Sequence, residues 1–141
     1  MTYPIADLHC DLLSFMAKVP KADPFDPDQI ACAFPWLKVG GVRAQVMAIY
    51  TDVHPGSMEL ASQQAAIFVQ LLEDHPDTVC RWDATFQQQL ETTEQLGIIA
   101  SIENAAGIGT ATATWKKIYT QFDALLEKVG SLAYISLTHH T

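Results

Sequence analysis

His9, Cys10 and Asp11 follow a short apolar run at residues 5–8. On an extended chain, residues i and i+2 project to the same side. This segment therefore presents an imidazole and a carboxylate together and turns the Cys10 thiol away from them. One imidazole nitrogen with carboxylate oxygens suits zinc and its divalent neighbours. Two more polar residues end apolar runs in the same way. Glu103 closes residues 97–103 (GIIASIE), and His139 follows residues 132–137 (LAYISL). A carboxylate has two oxygens, so Glu103 could bridge two ions. A neutral His139 would bind metal, and a protonated one would stabilise an oxyanion.

Plainer readings stand beside these. Asp11 is also placed to cap a helix beginning at Leu12, and Glu103 to serve as a helix cap or a solvated loop carboxylate. His139 and His140 could be a solvated terminal pair. Cys10 is a soft ligand in principle, but strand alternation favours its burial in the core. His54, in a His-Pro-Gly turn, and His75, before Pro76, read as exposed loop residues.

The elements that must position these residues can be read from periodicity and breakers. Residues 5–8 form a short strand, and the Pro- and Asp-rich residues 20–27 a loop. A helix is predicted from Asp28 towards Leu37, with Pro35 breaking its middle. Gly40-Gly41 is a stop, and residues 42–50 (VRAQVMAIY) form a buried strand with Tyr50 and Thr51 at its end. Ser57 is the expected N-cap of a helix over residues 58–74, ended by His75-Pro76. A second helix is expected over residues 84–95, with Gly97 as its C-terminal signal. Residues 97–103 then form a strand, 104–114 a loop, 115–129 a helix capped by Gly130, and 132–137 a fourth strand.

The strands are continuously apolar, the pattern of parallel strands buried on both faces, so the class is α/β. The candidate polar residues fall at the C-terminal ends of strands, where a (β/α)₈ TIM-type barrel builds its active site. Four strands make half such a barrel. Residues 1–141 are therefore expected to be a single partial domain, the first four βα units without the C-terminal half. Such a half has two open strand edges and an uncovered apolar face, which favour self-association or a complementing half.

The chain has 141 residues, 49% hydrophobic and 17% charged, enough for one core and unlike a disordered segment. Net charge is -8 and the isoelectric point about 4.8. The eight Lys and Arg residues are scattered and form no basic stripe, which argues against nucleic acid as a partner. Three widely spaced cysteines without a Cys-x-x-Cys give no disulfide framework. No run is long enough to span a membrane, and the N-terminus lacks the marks of a signal peptide. The expected location is the cytoplasm, with reduced thiols.

Four segments carry a family resemblance. Residues 6–13 (ADLHCDLL) resemble the opening motif of the membrane dipeptidase (renal dipeptidase, peptidase M19) family. Residues 39–45 (VGGVRAQ) resemble its second-strand motif Gly-Gly-Val-x-Ala-Gln. Ser101-Ile102-Glu103 resembles the strand that ends in its metal-bridging glutamate, and residues 136–139 (SLTH) its Leu-Thr-His segment. The motifs occur in order over essentially the whole chain and are specific jointly.

The resemblance implies a (β/α)₈ barrel with a binuclear zinc site. His9 and Asp11 would bind one Zn2+, and Glu103 would bridge both. His139 would be the catalytic group that contacts substrate or polarises its carbonyl. Tyr50, at the same mouth, is assigned to substrate binding. The implied activity is hydrolysis of dipeptides, often with a C-terminal D-residue, by a metal-bridging hydroxide. There are departures. The family's two further histidine ligands and its acidic proton-handling residue lie on later strands, and these 141 residues contain no counterpart. Asn104 stands where the family usually has Gly, and His140 where Asn often follows. The site is therefore expected to be half assembled, with weak and open zinc binding, and the chain alone to be inactive. Two other readings remain: an amidohydrolase-type metal hydrolase acting on a cyclic amide or an ester, and a non-catalytic α/β domain binding a partner through its open edge.

Overall fold

Two long apolar segments, each with a single charged residue, become the central strands of a parallel sheet. The structure, a computed structural model, describes residues 3–138. The chain runs β1 (Ile5–Asp7), α1 (Leu12–Lys18), α2 (Phe34–Val39), β2 (Val42–Tyr50), α3 (Ser57–Asp74), β3 (Val79–Arg81), α4 (Ala84–Gln89), β4 (Leu96–Glu103), a 3-10 turn (Ala105–Gly107), α5 (Trp115–Val129) and β5 (Leu132–Ser136). All strand pairs are parallel, in the order β1-β2-β4. The far edge of β4 is shared: β3 pairs with its first residues and β5 with its last. The result is the half-barrel sheet that continuous apolar strands predict.

The register of β2 on β4 sorts the side chains into two faces. Met47, Ile49, Ile98, Ala100 and Ile102 join Leu12 and Leu13 of α1, Ala61, Ala65, Phe68 and Leu71 of α3, and Leu125 and Val129 of α5 in the core. The spacing of the α3 residues, i, i+4, i+7 and i+10, is one helical stripe. Fully burying a side chain such as Phe68 is worth about 1.5–3 kcal/mol. The other face carries the register pairs Ala48↔Ser101 and Tyr50↔Glu103. The outer strands keep apolar groups in solvent: Ile5 and Leu8 around β1, and Tyr134, Ile135 and Leu137 around β5. No helix among the described residues is long and apolar enough to cross a membrane.

Several local expectations change. Strand β3 is additional to the predicted four, and three residues are too few to show a period. Helix α4 stops at Gln89 instead of Gln95, and Gly97 lies inside β4. Asp83 caps α4, its Oδ1 accepting the Phe86 N–H at 2.9 Å. Pro35 opens α2 instead of breaking a helix, at a first-turn position where a missing N–H costs nothing. Gly56, at φ 96°, is the N-cap of α3. Ser57 Oγ turns back into the preceding loop and accepts the His54 N–H at 3.1 Å. His54 is exposed, as expected, but His75 is half-buried, its ring edge-on to Phe25 with centroids 4.8 Å apart.

Gly97 is explained by close approach. A Cβ there would lie 2.4 Å from Cε1 of Phe86, whose ring packs against β4 at this point. Gly97→Ala is expected to lose about 1–3 kcal/mol through overpacking, and the double variant Gly97→Ala/Phe86→Leu to regain part of it. Urea unfolding monitored by circular dichroism measures both. An unchanged midpoint for Gly97→Ala would refute this packing.

Candidate metal centre

Strand β1 ends at Asp7, but the ladder resumes at Cys10, three residues later. Cys10 N–H donates to the Val46 carbonyl at 3.0 Å, and the Cys10 carbonyl accepts from Ala48 N–H at 3.0 Å. Extended pairing on both sides of Cys10 enforces alternation. Cys10 enters the core, 6% exposed, while His9 and Asp11 project together on the other side. The adjacent Cys32 thiol, followed by burial, pushes the Cys10 pKa up, so Cys10 is a packed thiol. Cys32, accepting that hydrogen bond, has a lowered pKa. Asp11 occupies the N-cap position of α1, yet its carboxylate makes no capping bond. The plainer reading of Asp11 as a helix cap is therefore not what the structure shows.

Glu103 is the last residue of β4, in register with Tyr50 on one side and Ser136 on the other. Its Oε2 lies 3.4 Å from His9 Nε2, and Asp11 Oδ1 lies 3.8 Å from the same nitrogen. One donor atom from each of the three residues falls within a 4.8 Å span. Donors sharing one tetrahedral zinc stand about 3.4 Å apart, given bonds near 2.1 Å. The nitrogen and two carboxylate oxygens thus fit one divalent ion with small side-chain adjustments. Glu103 is the most enclosed of the three and Asp11 the most exposed.

Residue 104 must reverse the chain after Glu103, and it does so at φ 76°. Positive φ favours glycine, with asparagine the most tolerant alternative. Asn104 meets the same backbone demand that a Gly would. It adds a side-chain bond, Oδ1 accepting from Ala106 N–H at 3.2 Å.

Tyr50 sits at the same mouth. Its backbone is clamped by the fully buried Gln64 of α3: Tyr50 N–H donates to Oε1 at 3.0 Å, and Nε2 donates to the Tyr50 carbonyl at 2.6 Å. Its phenol donates to Asp52 Oδ1, and Lys18 Nζ lies 5.3 Å from its ring centre. The Asp52 hydrogen bond, with desolvation and the charges of Asp52, Glu103 and Asp11, pushes the Tyr50 pKa up to about 12. His139 lies outside the described residues.

Sequence reading missed three groups: Asp52, Gln64 and Tyr134. The Tyr134 hydroxyl donates to the Leu8 carbonyl at 2.9 Å and lies 3.0 Å from His9 Nδ1. Counting back two residues from Ser136, on the face that carries Glu103, would have found it. A cavity of about 830 Å³ opens at the opposite end of the sheet, lined by Phe25, Lys38, Arg43 and Glu91 among others. Concavity therefore does not mark the donor cluster, which lies on an open face of the half barrel.

No protein-family model and no curated protein matches the sequence. Solved structures do match. The dipeptidase AC, a metallopeptidase of family M19, has a TM-score of 0.67 at 18% identity, over 98% of this chain and 43% of that one. The probable dipeptidase PvdM from Pseudomonas aeruginosa has a TM-score of 0.60 at 13% identity, over 96% of this chain and 34% of that one. The chain thus spans less than half the length of either. With a parallel half-barrel sheet and alignment over nearly its whole length, the chain has the fold of a partial TIM-type barrel, which it shares with these two structures.

Proposed function

We propose that this chain carries one half of the zinc centre of a metal-dependent dipeptidase. The observation that carries this reading is the convergence of His9 Nε2, Asp11 and Glu103 at the C-terminal mouth of a parallel sheet, in a fold shared with solved dipeptidases. His9, Asp11 and Glu103 would hold the metal. Bound zinc supplies a water of lowered pKa and polarises a carbonyl.

The chain's own groups set the rest. Glu103, with two carboxylate oxygens, would also be a ligand for a second ion, whose remaining ligands would come from other polypeptide. Tyr50 stays a neutral phenol throughout the neutral range, because Asp52 holds its proton, so it serves substrate as an uncharged hydrogen-bonding group. Asp11, Asp52 and Glu103 make the mouth acidic, which favours a cation before a substrate enters. His139 is the proposed group for substrate contact at the reacting carbonyl, and a dipeptide with a C-terminal L- or D-residue is the proposed substrate. The exposed edges at β1 and β5 are where complementing polypeptide would dock.

Calorimetric titration of the chain with zinc chloride tests the centre. The expected result is one weak site. Glu103→Gln and Asp11→Asn should each weaken it about tenfold or more, at least what loss of an outer partner of a ligand costs. Indistinguishable titrations for the wild type and Glu103→Gln would remove the proposal. Tyr50 has its own signature. In an ultraviolet titration, the phenolate that Tyr50→Phe deletes should appear near pH 12 in the wild type and move towards 10 in Asp52→Asn. No movement would show that Asp52 does not hold the proton.

A further inference from the structure

The hydrogen bonds around Tyr134 decide where the proton on His9 resides. The Tyr134 hydroxyl has one proton and two neighbours: the Leu8 carbonyl oxygen at 2.9 Å and His9 Nδ1 at 3.0 Å. A carbonyl oxygen only accepts, so the phenolic proton goes to Leu8. The phenol oxygen then accepts, and His9 must carry its proton on Nδ1. That leaves the imidazole lone pair on Nε2. Nε2 is the atom that faces Glu103 Oε2 at 3.4 Å and Asp11 Oδ1 at 3.8 Å.

We propose that Tyr134 is a positioning residue for His9: by linking the Leu8 carbonyl to His9 Nδ1–H, it selects the tautomer and ring orientation that aim Nε2 at the shared donor position. The inference rests on the metal-centre reading above. Metal-bound histidines commonly donate their second N–H to a carboxylate, a carbonyl or water. Here the acceptor is a phenol that itself donates to a carbonyl. The same two bonds tie β5 to the segment after β1, strands that β2 and β4 otherwise separate. The orientation of the ligand thus depends on both outer strands of the sheet. In the other tautomer, Nε2–H would donate to Glu103 and no lone pair would face the donors.

The test is nitrogen-15 NMR of histidine-labelled chain, with His9 assigned through His9→Gln and spectra recorded where its signals no longer change with pH. It is paired with zinc titration of the wild type and Tyr134→Phe. The wild type should show His9 protonated on Nδ1. Tyr134→Phe should shift His9 towards Nε2–H, keep its cooperative unfolding, and bind zinc about 10–100-fold more weakly. An Nε2–H tautomer in the wild type overturns the inference without any variant. Zinc binding that Tyr134→Phe leaves unchanged overturns the role of Tyr134 alone. A wild type that takes up no zinc overturns the metal-centre reading and this role with it.

Discussion

The pairing of β2 with β4 is the constraint on which the rest of the molecule depends. Seven consecutive positions lie in parallel register, from Ala44↔Gly97 to Tyr50↔Glu103. A slip of one residue would exchange the two faces. If β4 slipped on β2, Ile98, Ala100 and Ile102 would leave the helices, and Glu103 would enter the core. Because the register holds, the two strands end level and their last side chains share a face. The His9 segment joins that level through the Cys10 bonds to Val46 and Ala48, and β5 joins it through Ser136↔Glu103. The donor cluster is therefore a consequence of strand ladders, and the central one is fixed by burial on the helix side.

Local polar bonds refine what the register sets. Gln64 leaves a hydrophobic stripe of α3 to satisfy both backbone groups of Tyr50, at the point where β2 stops pairing. A buried backbone group without a partner costs about 1–3 kcal/mol, so the clamp ends the strand without that penalty and fixes where Tyr50 emerges. Asn104 does the corresponding work after Glu103 through its positive φ and its bond to Ala106. Both central strands thus finish in a specified turn, and the two mouth residues inherit that order. Asp11 follows a resumed ladder, but its own side chain has no capping bond to hold it. Of the three donors, Asp11 would be the most solvated in holding an ion.

How legible this was in the sequence depended on length and locality. Residues 42–50 and 115–129 read out residue by residue, because a nine-residue apolar run and an amphipathic helix bounded by Thr114 and Gly130 are local signals. Three-residue β3 has no period of its own and exists because β4 offers an edge. Gly97 was misread for a similar reason: a glycine after a helical pattern resembles a helix stop, and only the Phe86 ring, eleven residues earlier, shows why it belongs in a strand. His9, Asp11 and Glu103 were visible because each is a polar residue closing an apolar run. Tyr134 and Gln64 were not, since their partners are Leu8, His9 and Tyr50, and nothing in the intervening sequence announces contacts set by tertiary pairing.

The three donors come from different structural levels, and this bears on what the centre can do. Glu103 ends a central strand and is the best enclosed. His9 is oriented by hydrogen bonds through Tyr134. Asp11 is the most solvated and the least constrained. If the three donors held a tetrahedral ion, at least one position would stay open, the arrangement of catalytic rather than structural zinc. An open position and a solvated third ligand would both lower affinity, because ordering Asp11 and desolvating its carboxylate would offset part of the binding free energy. Enclosure of the face that carries Glu103, across the exposed edges at β1 and β5, would exclude water and strengthen every charge interaction there. If the three donors hold an ion as proposed, its affinity and closure of the sheet would be coupled: polypeptide covering that face would tighten the ion, and a bound ion would favour the covered state.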